Sequence, residues 1–88
     1  MEIYALDHVQ LAMPAGHEES ARAFYVGVLG LAEHVKPVNL RERGGVWFVG
    51  GSLKLHLGAE AEFQPVKEAQ PALLVHDLEA VDAECTAA

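Results

Sequence analysis

The chain has 88 residues, 51% of them apolar and 22% charged, with 6 Lys and Arg against 13 Asp and Glu and a formal charge of −7. A chain this short forms one small domain with a thin core, since it buries only ~60–65% of its unfolded surface. The composition excludes a disordered tail, and the charge excludes a nucleic-acid partner, because so few cations neutralise few phosphates.

Residues 3–13 alternate as a strand does. In "LDHVQLAMP", Val9, Leu11 and Met13 fall on one face, and Leu6, His8, Gln10 and Ala12 on the other. Pro14-Ala15-Gly16 ends the run. The segment "HEESARAFYVGVLG" predicts an amphipathic helix lying on a sheet, with Ala21, Phe24, Tyr25, Val28 and Leu29 along one stripe. Glu18 and Glu19 fall in its first turn, where the dipole favours anions, and Gly30 is placed to close it in the left-handed conformation. "LAEHVKPV" predicts a second strand, weakened at Pro37. "GGVWFVGG" and "SLKLHLG" predict a hairpin turning through Gly50-Gly51. Polar residues from 58 to 69, with Pro65 among them, predict a connecting loop. "QPALLVHDL" predicts a fifth strand. "DLEAVDAECTAA" starts a second helix, with Asp77 as N-cap and Leu78, Val81 and Cys85 on its apolar side.

The order is strand, helix, three strands, then strand and helix again. One helix covers one face of the first sheet. The other face carries His8, Gln10, Lys54 and His56, and something must cover or fill it. The lone Cys85 has no partner for a disulfide or a zinc knuckle, and it is expected to be a small buried hydrophobe. A free thiol fits a reducing compartment, so cytoplasm is expected. No basic segment leads into an apolar run at the N-terminus, and no apolar stretch approaches the ~18 residues of a membrane helix. No GxxxxGK or GxGxxG occurs, so the Gly-Gly pairs are turn chemistry.

The pieces "LDHVQLAMP", "ARAFYVGVLGL", "GGVWFVGGSLKLHLG" and "PALLVHDLEAV" together resemble the glyoxalase/bleomycin-resistance/extradiol-dioxygenase family, the vicinal oxygen chelate family. The resemblance spans nearly all of the chain. It implies an α+β fold: a βαβββ module over 1–58, a linker over 59–69, and an incomplete second module over 70–88. It also implies pairing of modules within a chain or between chains, so a homodimer or a longer parent polypeptide is expected. In that family the two concave sheets enclose a divalent metal (Zn, Ni, Mn or Fe).

The resemblance places a first-strand metal ligand at His8 and a second-module ligand position at Gln70, where relatives often carry His. A neutral imidazole is a good ligand for such metals; the plainer account of His8 is a hydrogen-bonded histidine in a wet pocket. Gln70 can bind through its amide oxygen, or simply start a strand before Pro71. A position where glyoxalase I often has Glu falls on or beside Lys54. A cation there would repel a metal, attract an anionic substrate, or pair with a partner's carboxylate. His56, on the same face, is the candidate acid/base, or else a cavity-lining polar residue. Trp47, Phe48 and Tyr25 are candidates for an apolar pocket or for core, and His17, His34 and His76 are expected to be exposed.

The implied function is a small metal-dependent enzyme of the lyase, isomerase or dioxygenase type, acting on a small substrate with vicinal oxygens. The alternative is a metal-free binder of a drug or metabolite, for which the negative charge suggests a cationic compound. A purely structural half-module is a third.

Overall fold

The computed structural model describes residues 1–65 and 71–87. The predicted Gln70 ligand position and the end of the linker lie outside these residues. Strand β1 spans Val9–Pro14, helix α1 Glu18–Arg22, β2 Ala32–His34, β3 Val46–Gly50, β4 Leu53–Glu60 and α2 Leu78–Ala87. α1 continues without a break into a π-helical segment, Ala23–Val28, and a 3₁₀ segment, Val38–Arg43, precedes β3.

The four strands form one sheet in the order β1-β4-β3-β2. β1 runs parallel to β4; β4, β3 and β2 form an antiparallel meander. The helical segment is the crossover from β1 at one edge to β2 at the other. This is the α+β βαβββ module expected from the sequence. The β3–β4 turn is shifted by one residue from the expected Gly50-Gly51. Gly50 pairs with Leu53, so the loop is Gly51-Ser52. Gly51 has φ +56°, which suits the first central position of a two-residue hairpin.

Period-two alternation decides which side of the sheet is buried. Met13, Val46, Phe48, Leu55 and Leu57 are buried, with Val9, Leu11, Ala21, Tyr25 and Leu31 packed around them. These residues sit between the sheet and the helical segment. Full burial of Phe48, at 0% exposed, contributes about 2–3 kcal/mol by area removed from water.

Two ties hold the helical segment over that core. The Glu18 carboxylate accepts a hydrogen bond from the Gly45 N–H at 3.1 Å. Arg22 bridges from the helix to Glu33 on β2, its Nε donating at 2.6 Å, and also pairs with Glu19. The helix ends where expected. Gly30, at φ +76°, donates to the Val26 carbonyl at 3.1 Å, and Leu31 donates to Tyr25 at 2.9 Å.

The helical stripe departs from expectation at Phe24. The Leu29 N–H reaches back five residues to the Phe24 carbonyl at 3.0 Å. That wider turn rotates the side chains relative to a 3.6-residue stripe. Tyr25 packs on Phe48, ring centroids 5.2 Å apart, while Phe24 is left 41% exposed.

Four further expectations are corrected. β1 begins at Val9, so residues 3–8 precede the strand, and Ile3, Tyr4 and Leu6 are exposed. Residues 71–77 form no strand, because the described residues hold no neighbouring strand to bond their N–H and C=O groups. β2 is only three residues long, since Pro37 and the 3₁₀ turn behind it take the chain off the sheet. α2 starts as expected, with the Ala80 N–H donating to Asp77 Oδ1 at 3.0 Å. Cys85 on that helix is exposed, not buried, as is Leu78. Among the described residues no helix is long and apolar enough to cross a membrane.

Candidate functional site on the open face of the sheet

The face away from the helix carries a row of polar and aromatic side chains. The register aligns Gln10 on β1, His56 on β4, Trp47 on β3 and His34 on β2. Their alternate neighbours, Val9, Leu55, Leu57, Val46 and Phe48, point into the core. The same period that buries the leucines of β4 therefore presents His56 on the opposite side.

His8, one residue before β1, joins this face. Its ring stacks on His56 with centroids 4.2 Å apart, and His56 stacks on Trp47 at 3.7 Å with planes only 3° apart. Trp47 in turn lies 6.1 Å from His34. Among the three aromatics weighed from sequence, Phe48 and Tyr25 are core and Trp47 belongs to the open face. His17, His34 and His76 are exposed, as expected.

His8 Nδ1 lies 2.9 Å from Asp7 Oδ2. A carboxylate only accepts, so Nδ1 carries the hydrogen and Nε2 keeps its lone pair. Asp7 also faces Lys54, whose Nζ is 3.6 Å from Oδ1. The hydrogen bond from His8, and then the Lys54 charge, hold the Asp7 carboxyl below the usual carboxylate value. Lys54 thus has a carboxylate partner within its own chain. His56, half-buried against its neighbours, is pushed below the ordinary imidazole pKa, foremost by desolvation. Its ring is neutral at pH 7 and has a lone pair available to take up a proton.

The donor set can be tested against a divalent ion. Imidazole binds a metal in the ring plane, with N–metal distances of about 2.0–2.1 Å. The His8 and His56 rings lie only 19° from parallel, one above the other, so their lone pairs do not converge on one point. Among the described residues no group of three or more His, Cys, Asp and Glu could hold an ion. This wall offers one well-oriented nitrogen, His8 Nε2, and not a complete site.

Next to the ring stack lies a cavity of about 250 Å³. Gln10, Trp47, His56 and Gly58 line it from the sheet, and Lys36 and Arg43 reach it from the segment before β3. Those two cations were not singled out in the sequence. The 3₁₀ turn at Val38–Arg43, which no hydrophobic period announces, brings them there. Asp7 was also missed, although it adjoins His8 in "DHV".

No family model matches the chain, and no curated protein matches it. Among solved structures, a protein of Bacillus anthracis described as glyoxalase family is 42% identical, with a TM-score of 0.91. The match covers 99% of this chain and 71% of that one. Identity at that level over nearly the whole chain settles the affiliation: the chain, a βαβββ module, belongs to the glyoxalase/bleomycin-resistance/extradiol-dioxygenase family.

Proposed function

We propose that the open face is one wall of an enzymatic small-molecule site, and that its substrate carries two neighbouring oxygens. The observation that carries this reading is the Asp7–His8 hydrogen bond beside the neutral His56 ring. It fixes one imidazole tautomer and leaves two lone-pair nitrogens on an uncovered face. His56 is the proton acceptor at the carbon next to a carbonyl, and Asp7 orients His8. Lys54 balances Asp7 and is the candidate contact for an anionic intermediate. We propose further that a second module closes the cleft, as a homodimer or within a longer polypeptide. The lone thiol of Cys85 points to the cytoplasm as the compartment.

A divalent ion (Zn, Ni, Mn or Fe) would take His8 Nε2 from this wall, and Gln70 with a carboxylate from the second module. It would supply Lewis-acid stabilisation of developing negative charge. Because the described residues alone do not complete such a site, no step is assigned to it.

The test is hydrogen–deuterium exchange at carbon in hydroxyacetone, followed by NMR in D₂O with and without added Zn, Ni, Mn or Fe. We expect exchange above the solvent rate, falling about 10²-fold or more in His56→Gln. His8→Ala should abolish any thermal stabilisation by the metals. Exchange that never exceeds the solvent rate would overturn the enzymatic reading. The second reading, a metal-free binder, is favoured by the flat Trp47–His56–His8 stack, and it would survive that outcome. Its ligand is an anion and not the cationic compound that the overall charge suggests, because Lys36 and Arg43 flank the stack.

A further inference from the structure

The cations of this chain are unevenly used. Arg22 is held by Glu19 and Glu33, and Lys54 by Asp7. Among the described residues Lys36, Arg41 and Arg43 form no ion pair with a carboxylate. All three lie in one short stretch, and two of them line the cavity beside Trp47 and His56. No Asp or Glu lines that cavity. A chain with charge −7 has carboxylates to spare, so the absence of one here is informative.

The stretch is also braced. Lys36 Nζ donates to the Gly44 carbonyl, and Arg41 Nε donates to the Lys36 carbonyl at 3.1 Å. Lys36 keeps two further N–H donors, and Arg43 keeps its guanidinium fork. Toward the sheet, Gly58 leaves space where a Cβ would come within 3.1 Å of Gln10 Nε2. Leu40 supplies apolar lining. The cavity is thus walled in part by flat rings, and its lining holds two cations that no carboxylate pairs among the described residues, together with the Gln10 amide.

We propose that this cavity is a subsite for the carboxylate of a small planar acid, taken between Arg43 and Lys36 with the acid's flat body along Trp47 and His56. A carboxylate matches the guanidinium fork in two parallel hydrogen bonds. Lys36 already spends one donor on Gly44, so the pair suits a single negative charge better than a phosphate dianion. The negative charge elsewhere on the chain does not prevent this, because at physiological salt it is screened beyond about 8 Å. The proposal rests on the reading of the open face as a ligand wall, and it names the substrate class of that wall.

Benzoate, its neutral isostere benzamide, and inorganic phosphate are titrated into the full chain by ¹H–¹⁵N NMR. The indole N–H of Trp47, the sole tryptophan, and the Gly58 amide serve as reporters. Benzoate should shift both saturably, and benzamide should bind about tenfold more weakly or worse. Arg43→Gln, an exposed change that spares the core, should weaken benzoate by about tenfold. Gly58→Val, which fills the space beside Gln10, should abolish binding. Equal binding of benzoate and benzamide, an unchanged Kd in Arg43→Gln, or tighter binding of phosphate than benzoate would overturn the subsite. If benzoate fails while hydroxyacetone exchange persists, this proposal falls and the enzymatic reading stands. If exchange fails while benzoate still binds, the reverse holds.

Discussion

At residue scale, Asp7 explains an otherwise awkward pair on the open face. Its two oxygens serve His8 and Lys54 separately, so a cation and an imidazole share one face without repelling each other. All three are solvent-exposed, so the arrangement orients groups and contributes little to stability. Glu18 is different, because its partner is the backbone. The Gly45 N–H holds its carboxyl below the ordinary value. A carboxylate with a depressed folded-state pKa stabilises the fold above the unfolded value of about 4.3, and that stability is lost as pH falls through the folded value. We expect Glu18→Gln to cost about 1 kcal/mol at pH 7 in urea unfolding. The deficit should shrink as pH falls through the folded-state value and the wild-type carboxyl takes up its proton. A deficit that stays constant as pH is lowered would show that the charge is irrelevant.

The elements show where local pattern is overruled. β3 and β4 follow their alternation, because each side chain has either the helix or open solvent to face. The helical segment does not follow its stripe, since the π turn moves Phe24 outward to place Tyr25 on Phe48. The turn into β3 depends on Gly45. Its φ is +84°, and a Cβ there would meet the Leu57 carbonyl oxygen at 2.1 Å. Backbone cannot yield as a side-chain tip does, so Gly45→Ala should destabilise by at least about 2 kcal/mol. Gly51→Ala, with open space around it, should cost less. Chemical denaturation of the two variants checks the order, and equal losses would contradict it.

At the scale of the molecule, five buried side chains support the whole fold. Phe48→Ala should cost about 3–5 kcal/mol, most of the stability of so small a domain, and broaden or abolish the thermal transition. The radius of gyration is 14.1 Å, against about 12 Å for a compact domain of this length. Residues 1–8 and 71–77 lie outside the sheet. They expose Ile3, Tyr4, Leu6, Leu73 and Leu74, and α2 exposes Leu78. Exposed apolar side chains of this kind suit the pairing proposed above. We expect sedimentation equilibrium to give a dimer, and Leu74→Lys, at a side chain 103% exposed, to shift it toward monomer without unfolding it. A wild-type monomer at high micromolar concentration would count against pairing.

What the sequence determined by itself is the module: its strands, their buried and open faces, the Gly30 stop, the Asp77 cap, and the presence of His8 and His56 on one side. Each follows from a period or a cap, which needs only neighbours along the chain. The tertiary structure alone decided the rest. Residues 71–77 read as a strand, yet a strand exists only where another backbone offers hydrogen bonds. Lys36 and Arg43 carry no periodic signal, and only the path of the folded chain around the 3₁₀ turn sets them at the cavity that His56 also lines. The parallel stacking of His8, His56 and Trp47, which keeps the two imidazoles from one ion, is a matter of angles between strands. Spacing in the sequence cannot encode those angles.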